Sequence, residues 1–75
     1  MELKEFVQQF AEQFDETPAN EFSPSTDFKE LDEWGSLTAL SIITMVDAEL
    51  DKRITGADLR SHKTIEDLYN YIRTL

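Results

Sequence analysis

Apolar residues in the N-terminal part of the chain recur with the period of an α-helix. They are spaced by three or four residues, which places them on one helical face: Leu3, Phe6, Val7, Phe10 and Phe14. Glu2 and Glu5 fall in the first turn, where the helix dipole favours acidic side chains. Thr17-Pro18 should end this helix, because proline lacks an amide hydrogen and disfavours helix in the residue before it.

The stretch from Glu16 to Gly35 shows no helical period. It contains both prolines and the turn-forming run Ser23-Pro24-Ser25-Thr26. It also contains large apolar side chains that should pack beneath the loop and order it: Phe22, Phe28, Leu31 and Trp34. A single helical turn over 28–32 is a further expectation. Long loops of this kind in compact domains usually carry function.

Helical periodicity returns at Ser36. A second helix should run from Ser36 to the charged cluster Asp51-Lys52-Arg53. The apolar residues that follow its period are Leu37, Leu40, Ile42, Ile43, Met45 or Val46, and Leu50.

Two more helices are predicted in the C-terminal third. A short turn over 56–60 should have Thr55 as its N-cap, with Ile54 and Leu59 turned inward. The last helix should start at Thr64, with Asp67 completing a capping box. Its predicted buried stripe is Ile65, Leu68, Ile72 and Leu75, with Tyr69 and Tyr71 at the edges. The sequence therefore predicts an all-α fold, a small four-helix bundle with a long first loop and a short third helix, in a single domain over residues 1–75.

Composition excludes several functional classes. The chain has 16 acidic and 7 basic residues, and its net charge of −9 argues against binding nucleic-acid phosphates or anionic membranes. It has no cysteine and only one histidine, so disulfides, thiol catalysis and Cys/His metal sites are excluded. We expect this histidine, His62, to be exposed. A charged N-terminus and the lack of a long apolar run predict no signal peptide and no membrane span, hence a soluble, cytoplasmic domain.

The charges are unevenly distributed. Residues 1–51 carry 13 acidic and 2 basic residues, whereas residues 52–75 carry 3 acidic and 5 basic ones. An acidic surface suits a basic partner protein, although ordinary solvation explains it as well.

No catalytic constellation is apparent, because a triad built from Ser36 and His62 would lack room for an oxyanion hole. The sequence also lacks an EF-hand loop for calcium.

Ser36 admits two interpretations from its position alone. It could be a helix N-cap whose Oγ accepts a hydrogen bond from the backbone N–H of residue 38 or 39. Alternatively, it displays a hydroxyl at a helix N-terminus, where free N–H groups favour a phosphate.

The segment that runs from Phe28 through Trp34-Gly35-Ser36-Leu37 resembles the modification site of acyl carrier proteins. In that family a Phe and a Leu precede a loop, and an Asp-Ser-Leu motif opens the second helix. Ser36 and Leu37 match the last two residues of the motif. The stretch from Thr64 to Leu68 is similar to the start of the family's final helix, and the length, acidity and helix order agree over the whole chain.

The resemblance implies a carrier rather than an enzyme. A phosphopantetheinyl transferase would move a 4′-phosphopantetheine arm from coenzyme A onto Ser36, and the arm's thiol would hold acyl groups as thioesters for acyl-transfer and ketoacyl-synthase-type enzymes. A monomer is expected. The residues implied for partner contact are Leu37, Thr38, Ser41, Met45 and Asp47. Those implied for an acyl cavity, equally explained as ordinary core, are Leu40, Ile43, Val46, Ile54, Leu59 and Ile65.

Two departures from the family pattern matter. Gly35 stands where the family has Asp, so a charge that usually meets the transferase is missing. The front of the second helix is uncharged at Thr38, Ser41 and Thr44, which favours docking through Leu37, Met45 and the later acids. We therefore expect an acyl carrier of fatty-acid or related lipid or polyketide synthesis. The alternatives are a specialised aminoacyl, peptidyl or secondary-metabolism carrier, and a non-covalent acidic helical interaction module.

Overall fold

A computed structural model describes all residues from Met1 to Leu75. Its four α-helices are α1 (Leu3–Ala11), α2 (Ser36–Leu50), α3 (Gly56–Arg60) and α4 (Ile65–Ile72). Two 3₁₀ turns, Ala19–Glu21 and Phe28–Glu30, lie in the loop between α1 and α2. The β pairing is limited to an isolated bridge between Asp27 and Thr64. The predicted all-α bundle with a long first loop and a short third helix is confirmed. None of its helices has the length and apolarity that crossing a membrane requires.

Helix α1 ends earlier than predicted. It begins after Glu2, whose N–H donates to the Glu5 carboxylate over 3.4 Å, and it ends at Ala11 rather than near Thr17. The amides of Gln13 and Phe14 donate to carbonyls three residues back, which tightens the chain into a turn. The amides of the next three residues, 15–17, donate to the carboxylate of Glu33. Phe14 is nevertheless buried, as its place in the apolar stripe predicts.

Aromatic rings form the centre of the core. Phe6, Phe10 and Phe28 are fully buried, and the ring of Phe10 lies 5.4 Å from that of Phe28. The Phe28 ring then packs edge-on against Trp34 at 5.1 Å. These contacts attach the long loop to α1, which confirms that its aromatic residues order it. The 3₁₀ turn at Phe28–Glu30 is the predicted single turn, whereas the turn at Ala19–Glu21 was not predicted.

The buried face of α2 differs from the predicted stripe. The buried residues of this helix are Thr38, Ile42, Met45 and Val46. Leu37 and Leu40 are instead 78% and 58% exposed, so their assignment to the stripe was wrong. Apolar residues occupy nearly every face of α2, so the helical period alone does not select the face that packs against α1 and α3. The helix ends as predicted, with Asp51 in the left-handed conformation at its C-cap (φ 56°).

The two C-terminal helices begin where their sequence signals place them. Thr55 Oγ1 accepts from the Asp58 amide at 3.2 Å, and Thr64 Oγ1 accepts from the Asp67 amide at 3.0 Å, so both predicted N-caps are confirmed. Ile54 and Leu59 are buried, again as predicted.

Three expectations about this region were wrong. Leu75 is 45% exposed, because α4 ends at Ile72 and leaves it beyond the helix. Tyr69 is buried rather than at the edge of the stripe, with its ring 5.3 Å from that of Phe6. His62 is half-buried rather than exposed: its ring packs 4.7 Å from the ring of Tyr71, and its Nδ1 lies 2.7 Å from the Asp58 carbonyl oxygen.

Candidate functional site

Ser36 is the first residue of α2 and is exposed. The N-cap position belongs to Gly35, whose backbone is extended (φ −172°, ψ −172°), so the interpretation of Ser36 as the N-cap was wrong. The Gly35 N–H donates to Thr38 Oγ1 over 2.8 Å, so one of the free backbone N–H groups at the start of the helix is satisfied without Ser36. The Ser36 hydroxyl is therefore presented at the surface, outside the capping interaction.

Thr38 holds the backbone of the residues that directly precede Ser36. Its side chain is buried, and its Oγ1 lies 3.2 Å from the Glu33 carbonyl oxygen and 3.0 Å from that of Gly35. One buried hydroxyl thus connects the residues before Ser36 to the first turn of the helix. This role was not predicted. The signal for it is a hydroxyl side chain three residues after the N-cap, which here accepts from the N-cap N–H as the Glu or Gln of a capping box would.

Glu33 holds the same segment through its side chain. Its carboxylate accepts hydrogen bonds from the backbone N–H groups of Asp15, Glu16 and Thr17 at 2.9, 3.1 and 2.9 Å, and from the Thr17 hydroxyl at 2.7 Å. The Thr17 hydroxyl and these amides lower the pKa of Glu33, because they stabilise its charged form. The carboxylate therefore ties the end of the α1 turn to the residues just before Ser36. Because Glu33 binds the amides of residues 15–17, the helix does not resume after the turn at Gln13 and Phe14.

A small cavity opens beside Ser36, between the long loop, α2 and α3. It has a volume of about 270 Å³, and we call it the serine notch. It is lined by Lys29, Trp34, Gly35, Ser36, Ala39, Gly56, Leu59 and Arg60. The two charged residues of this set, Lys29 and Arg60, are both basic. A Cβ placed on Gly35 would have nothing within 4 Å, so the space next to Ser36 is open to solvent on the Gly35 side.

The residues predicted for partner contact are only partly on the surface. Leu37 and Asp47 are exposed, and Ser41 is half-buried. Thr38 and Met45 are buried, so their placement does not favour direct contact with a partner. The contact roles of the exposed residues stay predictions.

The residues predicted for an acyl cavity lie mostly in the core. Val46, Ile54, Leu59 and Ile65 are buried and Ile43 is half-buried, whereas Leu40 is exposed and does not line the interior. Leu59 is the member of this set that also lines the serine notch. Leu40 lines a separate groove between α1 and α2, together with Gln9 and Thr44. The cavity role of the buried residues stays a prediction.

A comparison with protein families gives one match. The family described as phosphopantetheine attachment site matches residues 4–72, a range that extends from α1 to the last residue of α4 and includes Ser36. No curated protein and no solved structure matches the chain.

Proposed function

The chain belongs to the phosphopantetheine attachment site family, and we propose that Ser36 is the residue that carries its 4′-phosphopantetheine arm. Members of the family bear this prosthetic group and act as carriers. A phosphopantetheinyl transferase attaches the group, and acyl-handling enzymes then load and unload it. Members of this kind are typically not catalytic. Assigning the arm to Ser36 makes the protein an acyl carrier whose reactive thiol comes entirely from the arm, since the chain has no cysteine.

The observation that supports this assignment is the exposed Ser36 hydroxyl at the start of α2, outside the capping interaction. The local structure fits the arm in two further respects. The serine notch provides space beside the hydroxyl, and no acidic residue lines it, so an attached phosphodiester meets no negative charge there.

Attachment is a phosphoryl-type transfer at the serine oxygen. Ser36 Oγ forms a bond to the phosphorus that bears the pantetheine group in coenzyme A, and the phosphoanhydride bond on that phosphorus breaks. The adenosine bisphosphate leaves with the anhydride oxygen, and the hydroxyl proton passes to the transferase or to water. The carrier contributes the position of Ser36, which the Gly35–Thr38 hydrogen bond and the Glu33 carboxylate hold.

Intact-mass spectrometry tests the assignment directly. The wild-type chain, Ser36→Ala and Ser41→Ala are each incubated with coenzyme A and a promiscuous phosphopantetheinyl transferase. Ser41 is a matched control because it lies on the same helix. We expect one added phosphopantetheinyl group on the wild type and on Ser41→Ala, and none on Ser36→Ala. No gain on the wild type, or a gain on Ser36→Ala, would contradict the proposal.

We further propose that the carrier serves fatty-acid or related lipid or polyketide synthesis as one cytoplasmic carrier domain over residues 1–75. The uncharged front of α2 also fits a specialised aminoacyl or peptidyl carrier: Leu37 is exposed there, and acids return only at Asp47. Supplying the holo protein in turn with malonyl-coenzyme A and an acyltransferase, or with an amino acid, ATP and an adenylating enzyme, distinguishes these pathways. We expect acyl loading; aminoacyl loading alone would favour the specialised carrier.

A further inference from the structure

The serine notch has the opposite charge to the protein as a whole. The chain carries a net charge of −9, yet Lys29 and Arg60 are the charged residues among those that line the notch. They come from parts of the chain that lie 31 residues apart, on the second 3₁₀ turn and at the end of α3. The fold therefore brings two of its seven basic residues to the side of Ser36.

A hydrogen bond within the protein holds Lys29 at the notch, and the Arg60 side chain lies beside it. The Lys29 ammonium donates a hydrogen bond to the Arg60 carbonyl oxygen over 2.7 Å, which joins the loop to the C-terminal end of α3. The Arg60 guanidinium lies back along its own helix, since a Cβ placed on Gly56 would be 3.3 Å from Arg60 Nη1. Lys29 is thus positioned before any ligand arrives, and the Arg60 guanidinium lies along α3 at the edge of the notch.

Nearby acidic groups are absent from the notch or engaged elsewhere. Gly35, directly before the serine, contributes no side chain. The Glu33 carboxylate is bound to the amides of 15–17 and does not line the notch. An anion beside Ser36 therefore has two cations near it, and no carboxylate lines the cavity it would occupy.

We propose that Lys29 and Arg60 bind the phosphodiester of the arm carried by Ser36 and hold the first part of the arm in the serine notch. The inference rests on the proposed attachment at Ser36. A guanidinium matches phosphate oxygens through paired N–H donors, whereas an ammonium acts as a compact charge, so the two residues are complementary. Their charges also offset the negative charge that attachment adds to an already acidic protein.

The test compares thermal stability before and after attachment. Three proteins are prepared in apo and holo form at low salt: the wild type, Lys29→Gln/Arg60→Gln, and the control Arg53→Gln/Lys63→Gln. The control removes the same charge from exposed residues that do not line the notch. The readout is the change in Tm from apo to holo, because a purely structural role of Lys29 or Arg60 would affect both forms equally.

For each protein, the Tm of the apo form is subtracted from that of the holo form. We expect this difference to be about 2–8 °C smaller in Lys29→Gln/Arg60→Gln than in the wild type, and the control Arg53→Gln/Lys63→Gln to be close to the wild type. The difference should disappear at about 1 M salt, where charges are screened within about 3 Å. A second readout needs no variant: in ¹⁵N spectra of the wild type, the Arg60 side-chain N–H signal should move on attachment, and that of Arg53 should not.

Mass spectra of the same samples separate the two proposals. Equal changes in Tm for all three proteins and an unmoved Arg60 signal, with one arm attached to each, would overturn the notch proposal and leave Ser36 as the attachment residue. Absence of the arm on every protein would overturn the proposed function and this inference together.

Discussion

Replacing Thr38 with valine should remove the hydroxyl that holds the backbone of the residues before Ser36. The two side chains have nearly the same shape, so the change deletes hydrogen bonds without opening a cavity. The Thr38 hydroxyl has one proton, so at any moment it accepts from the Gly35 N–H and donates to one of two carbonyls, those of Glu33 or Gly35. Two hydrogen bonds are therefore lost at a buried position.

The expected cost follows from those two bonds. Each intramolecular hydrogen bond contributes about 0.5–1.5 kcal/mol, and a buried N–H left without a partner adds to the loss, so we expect Thr38→Val to reduce the free energy of unfolding by about 1–3 kcal/mol. A 75-residue chain has about 4–11 kcal/mol in total, so the loss is substantial but leaves a folded protein. The corresponding fall in Tm is about 4–8 °C for each kcal/mol lost.

Urea unfolding followed by far-UV circular dichroism measures this loss, and Thr44→Val is the matched control. Thr44 lies on the same helix, is exposed, and donates to the Leu40 carbonyl oxygen over 2.9 Å. Its replacement should change stability by no more than about 0.5 kcal/mol. If Thr38→Val is no more destabilising than Thr44→Val, the hydroxyl does not hold the approach to Ser36, and the role assigned to it here is wrong.

Three further predictions test the same region. Gly35→Asp should stabilise the protein by about 0.5–1 kcal/mol in urea unfolding, because the extended backbone and open space accept a side chain that caps α2 and favours its dipole; a loss would contradict this. Thr17→Val should raise the pKa of Glu33 toward 4.5, because the Thr17 hydroxyl is the largest cause of its lowering; carboxyl titration by NMR, with Thr17→Ser as control, measures this. Since the folded-state pKa of Glu33 is lowered, its contribution to stability is present above about pH 4.5 and is lost as the pH falls through the folded value, so Thr17→Val should lose less stability on acidification. Leu37→Ala should leave the free energy of unfolding within about 0.5 kcal/mol, because the side chain is 78% exposed, and should slow acyl transfer to a partner enzyme; a loss of about 2–5 kcal/mol would instead indicate a core residue.

Features set by neighbouring residues could be predicted from the sequence. The N-caps Thr55 and Thr64 are recognisable because each cap depends on an Asp three residues later, a spacing that needs no tertiary information. The apolar stripe of α1 was equally clear, since the other faces of that helix are polar. The start of α2 at Ser36 was predicted correctly, although Gly35 and not Ser36 occupies the cap.

Features set by distant residues could not be predicted in this way. The chain after α1, at residues 15–17, is held by Glu33, which lies 16 to 18 residues from the amides it binds. The buried face of α2 depends on its neighbours, because a helix that is apolar on most faces has no preferred stripe, and Leu40 was misplaced for that reason. The serine notch likewise arises only when Lys29 and Arg60 meet across the fold.

Trp34 gives the protein a built-in optical signal at the proposed attachment site. It is the only tryptophan in the chain, it packs against Phe28, and it lines the cavity next to Ser36. Indole emission responds to the polarity and packing of its surroundings, so occupation of that cavity should change the intrinsic fluorescence. Conversion of the apo protein to its loaded form could then be followed continuously, without a dye or a label on the cargo.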